Sequence, residues 1–171
     1  MVINRQRRIP VAPPSVEKFL ARVTNLLHIP RDATTICLVT DAQMARWNRI
    51  YRGKAKPTDV LSFPADAGRT RKSQTSRTAT TSRKRATAGP RPKPVRSRRH
   101  PAPRTDSYLG DIAIAPAVAR RNAQELGRTF DDEMRILVLH GVLHLLGYDH
   151  ETDTGQMERR ELRLRRQLGI Q

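Results

Sequence analysis

Along the first third of the chain the apolar positions change period. Over residues 16–27 they fall at 16, 19, 20, 23, 26 and 27, the three-and-four spacing of one helical face, with Ser15 placed as an N-cap and His28-Ile29-Pro30 closing the segment. Residues 35–40 form a short apolar run without that period and predict a buried strand, after which Asp41 can cap a helix through Met44, Trp47 and Ile50. Two further short strands are predicted by PTDVLSFP at 57–64, which prolines bracket, and by YLGDIAIAP at 108–116. A helix over 116–126 should end at Gly127. A longer one starts at Asp131 or Asp132 and is apolar on most of its circumference through Leu143 and His144. A final basic helix spans about 154–168, with Met157, Leu162, Leu164 and Leu168 as its apolar positions. Strands and helices mix without strict alternation, which predicts an α+β fold: a small mixed sheet packed with about five helices.

Composition changes this picture in one place. The chain of 171 residues suits a single domain over 1–171, but residues 66–107 lack any apolar pattern. Thirteen of the 33 Lys and Arg lie between Arg69 and Arg104 without one Asp or Glu, leaving 20 basic against 16 acidic residues elsewhere. The net charge of +17 is therefore mostly local. With Val95 as its only large aliphatic residue, the segment cannot offset the entropy of ordering itself, so it is expected to be a disordered insertion within the domain. It serves either as a solvated tether or, over 69–104, as an arm binding RNA nonspecifically. It holds no aromatic residue for base stacking. The lone Cys37 has no disulfide partner, the first thirty residues are broken up by Arg5, Arg7, Arg8, Pro10, Pro13 and Pro14, and no membrane-spanning run occurs. A soluble cytoplasmic protein without membrane contact is the expectation.

Three of the five histidines fall in HGVLHLLGYDH, residues 140–150. Residues four apart share a helical face, so His140 and His144 can chelate one ion, and Gly147 can end the helix and bring His150 back to them. Three nitrogen ligands leave a fourth position for water, the arrangement of a catalytic zinc site, although imidazole also accepts other divalent ions. The spacing fits the zincin-type frame H-x-x-x-H-x-x-G-x-x-H, which predicts a zincin-like metal-binding helix. Metalloproteases of that frame carry a glutamate base directly after the first histidine, whereas this chain has Gly141. Proton transfer must then come from elsewhere; Asp111, Asp149 and Glu151 are candidates, with Asp149 alternatively orienting a histidine.

HGVLHLLGYDH, together with YRGKAKPTDVLSFP at 51–64 and LGDIAI at 109–114, resembles the YbeY family of bacterial rRNA maturation factors. The resemblance covers about residues 34–168 apart from the basic insertion, which departs from the short linker usual in the family. It implies a metal-dependent, single-strand-specific endoribonuclease acting in 16S rRNA 3′-end maturation and ribosome quality control, with metal-bound water attacking the phosphodiester. The implied partners are the 16S rRNA precursor and the ribosomal small subunit. It also implies one Zn2+ held by His140, His144 and His150, and catalytic importance for Arg52 beside His140. From its own surroundings Arg52 reads as a surface arginine next to a turn glycine, yet a guanidinium fork suits a phosphodiester. Thr58, Asp59, Ser62, Phe63 and Gly110 read as turn and strand-end residues, Tyr148 as a stacking or packing ring, and Met157 as a core residue or an apolar floor beneath the metal. The competing function is a ribosome assembly or RNA-binding factor whose metal is mainly structural.

Overall fold

The structure, a computed structural model, describes residues 1–65, 108–150 and 153–170. The insertion expected at 66–107 and the candidate Glu151 lie outside the described residues. In chain order the elements are β1 (Val2–Asn4), α1 (Pro13–Leu27), β2 (Thr34–Leu38), α2 (Asp41–Arg52), β3 (Val60–Pro64), β4 (Gly110–Ile114), α3 (Pro116–Glu125), α4 (Phe130–Leu145) and α5 (Gln156–Leu168). They form the expected α+β arrangement. The sheet order is β1-β2-β4-β3, with β1, β2 and β4 parallel and β3 antiparallel to β4 at the edge.

β1 was not foreseen from the apolar pattern. Its three residues carry no usable period, and it becomes a strand because Val2 and Ile3 pair with Ile36 and Cys37 more than thirty positions away. Helix starts also moved, each for a local reason. Two prolines open α1, where their missing N–H costs nothing, so Ser15 lies inside the first turn. Thr40, not Asp41, caps α2: its hydroxyl accepts the Gln43 N–H at 3.3 Å while the Gln43 side chain receives the Thr40 N–H at 3.5 Å. α4 is capped by Thr129, whose oxygen accepts the Asp132 N–H at 3.1 Å. Ahead of α5 the Asp153 carboxylate accepts from the N–H groups of Gly155, Gln156 and Met157, which starts the helix two residues later than its apolar pattern suggested.

Alternation along the strands assigns the two sheet faces. Ile36, Leu38, Ile112 and Ile114 turn to the face covered by α4 and join Leu139, Val142 and Leu143 in the main core. Leu61 and Ala113 turn to the opposite face, where α2 supplies Met44 and Trp47. α4 is thus enclosed by the sheet on one side and by α1, α3 and α5 around the rest, which explains its nearly continuous apolar character. It packs tightly on the sheet at Gly141, where an added Cβ would stand 2.8 Å from Ile112 Cγ2. Ile112 is fully buried and β-branched, so it has little room to give. The residue after the first histidine therefore faces the sheet, and a side chain there would force Ile112 or the helix to shift. The missing protease glutamate thus has a packing cause.

Candidate metal centre

The last two turns of α4 carry His140 and His144 on one face, with the Nε2 atoms 3.1 Å apart. Gly147, at φ 89°, stops the helix in a left-handed turn in which its N–H reaches the His144 carbonyl (3.0 Å) and the Tyr148 N–H reaches Leu143 (3.1 Å). The chain then doubles back and His150 arrives beside the pair, its ring centroid 5.5 Å from His140 and 5.2 Å from His144. One ligand atom from each of the three lies within 4.8 Å of the other two. Two nitrogen ligands bound at about 2.0–2.1 Å in a tetrahedral site stand roughly 3.3 Å apart, so the His140–His144 spacing fits a shared ion. The C-terminal carbonyl end of α4 also favours a cation at this point.

A buried anion holds the first histidine. Glu161 of α5, 8 % exposed, meets His140 Nδ1 at 2.9 Å through one carboxylate oxygen and Arg165 through the other. Burial pushes the Glu161 carboxyl up, but the hydrogen bond from His140 and the Arg165 guanidinium outweigh it and hold the group below its ordinary range. The carboxylate favours the tautomer protonated at Nδ1, which leaves the Nε2 lone pair facing the cluster and able to ligate. His144 is held below the usual imidazole range, first by burial and then by the charges of His140 and His150. It is therefore neutral near pH 7 and able to ligate. The pattern along α5 contained a signal for Glu161: it falls in line with Met157, Leu164 and Leu168, all buried, whereas Leu162, expected on the apolar face, is 45 % exposed. An acid on an apolar stripe needs a partner, and here the partner is His140. Glu161→Gln should weaken metal binding about 10- to 100-fold, as loss of an outer partner of a ligand typically does, in a competition titration against a chromogenic chelator.

The histidines open onto a cleft of about 680 Å³, whose walls include Arg52 at the end of α2, the β3 strand, Tyr148 and Asp149. Arg52 is exposed, and the left-handed Gly53 stops α2 directly after it. Asp59 braces the cleft wall: one carboxylate oxygen accepts the Val60 N–H (2.8 Å) and the Thr58 hydroxyl (3.0 Å), the other the Asn122 amide (3.0 Å). Ser62 ties β3 to α4 by donating to the Gly141 carbonyl at 3.2 Å. Tyr148 is half-buried against the core and also lines the cleft. Met157 is buried in the core, as expected of it, and also lines a smaller cavity beside His140 and His150. Asp149 stands close enough to His144 for its charge to favour the imidazolium. Asp111 is not brought to the histidines. Alternation on β4 puts it on the opposite sheet face from Ile112, where it accepts a 2.6 Å hydrogen bond from Tyr108.

Fold and site together define an α+β protein with a helix-borne group of three histidines able to hold a metal at the mouth of a cleft. Comparison with known proteins places it more closely. A family model described as Endoribonuclease YbeY matches residues 1–169. Endoribonuclease YbeY of Koribacter versatilis is 33 % identical over 170 residues, covering 99 % of this chain and 86 % of that protein. Its counterpart in Solibacter usitatus is 36 % identical over 158 residues, covering 92 % and 80 %. The chain belongs to the endoribonuclease YbeY family, a family of enzymes. The fold is also similar to the solution structure of TM1509 from Thermotoga maritima, at a TM-score of 0.53 and 21 % identity over 98 % of this chain and 89 % of that one.

Proposed function

We propose that this chain is a metal-dependent endoribonuclease that cuts single-stranded RNA, with His140, His144 and His150 holding one Zn2+. The observation that carries the reading is the convergence of three imidazoles within 4.8 Å at a cleft that also holds Arg52, in a chain of an endoribonuclease family. A bound zinc ion would supply Lewis acidity and lower the pKa of a coordinated water toward neutrality. The chain's own residues do the rest. Glu161 keeps His140 in the tautomer that ligates, and His140 serves catalysis through the ion it would hold. Arg52 clamps the scissile phosphodiester and offsets the negative charge that grows on it during attack. Asp149, on the same cleft wall, is the remaining described candidate for moving a proton.

The motifs at 51–64, 109–114 and 140–150 support the finer assignment: 3′-end maturation of 16S rRNA and ribosome quality control, on the small subunit, in the cytoplasm. In line with that location, no helix among the described residues is long and apolar enough to cross a membrane. We assign residues 1–171 to one domain, with the basic residues 69–104 adding nonspecific affinity for RNA through phosphate contacts. The test is removal of metal from purified protein by chelation, followed by an RNA cleavage assay and a thermal melt. The expected result is a folded protein that still binds single-stranded RNA, cuts none, and regains cleavage when zinc is restored. Global unfolding on chelation, with cleavage unaffected by metal in refolded protein, would favour the assembly factor with a structural ion instead.

A further inference from the structure

The sheet face opposite α4 carries a second cavity of about 310 Å³, at the small end of ligand cavities, with Arg5, Trp47, Tyr51, Phe63 and Asp111 among its walls. The whole chain has seven aromatic side chains (three Phe, three Tyr, one Trp), and three of them, Trp47, Tyr51 and Phe63, line this cavity. Phe63 meets Trp47 edge-on at 6.0 Å and Tyr51 edge-on at 5.1 Å. Tyr108 donates at the rim to Asp111, at 2.6 Å, and sits 2.9 Å from the Thr35 hydroxyl. Core packing explains Trp47 and Phe63, which lie half-buried against the smaller apolar cluster. It does not explain Tyr51, which stays 65 % exposed. Tyr51 and Phe63 line both this cavity and the histidine cleft, so the two adjoin across the edge strand β3.

We propose that this cavity is a nucleobase subsite. It rests on the reading of the chain as an RNA-cleaving enzyme and adds to it where a base next to the cut bond goes. The base stacks on the Tyr51 and Trp47 rings, Arg5 takes an adjoining phosphate, and the Asp111 carboxylate accepts from the N–H groups of the base edge. An aromatic platform flanked by one cation and one acceptor matches a nucleotide, in which each base offers a π-face and each phosphate a negative charge. A strand that places its phosphodiester at His140 and Arg52 and its next base here must bend around β3 with that base unpaired. A duplex cannot do so, which gives preference for single strands a physical origin in Tyr51, Phe63 and Trp47.

Trp47 is the chain's single tryptophan, so its emission reports on this cavity. The experiment titrates the full-length, metal-replete protein with a ten-nucleotide 2′-O-methyl oligoadenylate, with an abasic decamer of equal charge, and with the oligoadenylate in a complete duplex. The single strand should quench Trp47 and bind about 5- to 150-fold more tightly than the abasic decamer, and the duplex should leave the emission unchanged. Tyr51→Ala, at an exposed position that the fold does not depend on, should lose a comparable factor with an unaltered melting curve. Trp47→Leu, which removes the emission signal, should weaken binding likewise when followed by the fluorescence anisotropy of an end-labelled oligoadenylate. Equal quenching by the base-bearing and abasic strands, or unchanged affinity in Tyr51→Ala, overturns the proposal. Cleavage of single-stranded RNA by the unmodified protein, measured alongside, separates two failures. A chain that cuts RNA without base-dependent quenching loses the subsite alone; one that cuts no RNA loses the reading beneath it.

Discussion

His144→Ala should release the metal and abolish RNA cleavage together, while α4 stays folded. The side chain is half-buried at the last turn of the helix, and its ring contacts are with the other two histidines of the cluster, so its removal opens no cavity in the main core. Two ligands then remain, His140 on α4 and His150 beyond the turn at Gly147, and the loss of affinity should exceed the roughly 10- to 100-fold that follows removal of an outer partner. Elemental analysis, a cleavage assay and a circular-dichroism melt on the same preparation check the three parts. Cleavage persisting in a metal-free His144→Ala protein would sink the metal-dependent reading. Acid should act in the same direction as the mutation, because protons compete for the same nitrogens and weaken metal binding as pH falls. In the metal-free protein, the depressed pKa of His144 means that the unfolded chain takes up its proton first. Stability from this group is therefore present above about pH 6.5 and lost as pH falls below it, an acid sensitivity that His144→Ala should reduce.

Arg52→Ala should lower kcat by about 10²- to 10³-fold, the usual effect of deleting one donor to a developing oxyanion, with metal content unchanged. Lysine should restore only part of the loss, since it keeps the charge but not the planar fork that grips two phosphate oxygens. Turnover at saturating single-stranded RNA, measured beside metal analysis, separates this outcome from the His144 result: there metal and turnover fall together, here turnover alone. Full turnover in metal-replete Arg52→Ala would remove the arginine from the proposed machinery and leave the three histidines standing.

Much of the site was readable because its key spacing is local. His140 and His144 are one helical turn apart, and Gly147 sits where a helix-ending turn must come, so the chelating geometry follows from residues within eleven positions. Glu161 was less visible because its role depends on α5 packing across α4, although an acid among buried Met157, Leu164 and Leu168 was a usable sign. Asp111 misled for the opposite reason. Its place in the motif at 109–114 suggested chemistry, and only the pleat of β4 shows that it faces away from the histidines. The starts of α2, α4 and α5 shifted by one or two residues because capping by Thr40, Thr129 and Asp153 outweighed the more obvious alternatives, and α1 began three residues earlier on Pro13 and Pro14.

The order of apolar and polar positions thus determined that α1, α2, α3, α4 and α5 exist, roughly where they lie, and that three histidines share one end of α4. These are short-range consequences of backbone periodicity and turn chemistry. Pairing of β1 with β2, the reversal of β3 against β4, the approach of Arg52 to the histidine cleft and the clasp of Glu161 on His140 were decided by tertiary packing. Gly141 belongs to both levels. In the chain it is a residue standing where a protease carries its base; in the fold it is where a Cβ on α4 would collide with the Ile112 side chain of β4. Contacts between distant segments form only when burial of their shared surface outweighs the entropy of bringing them together, and that balance is not written in any local stretch.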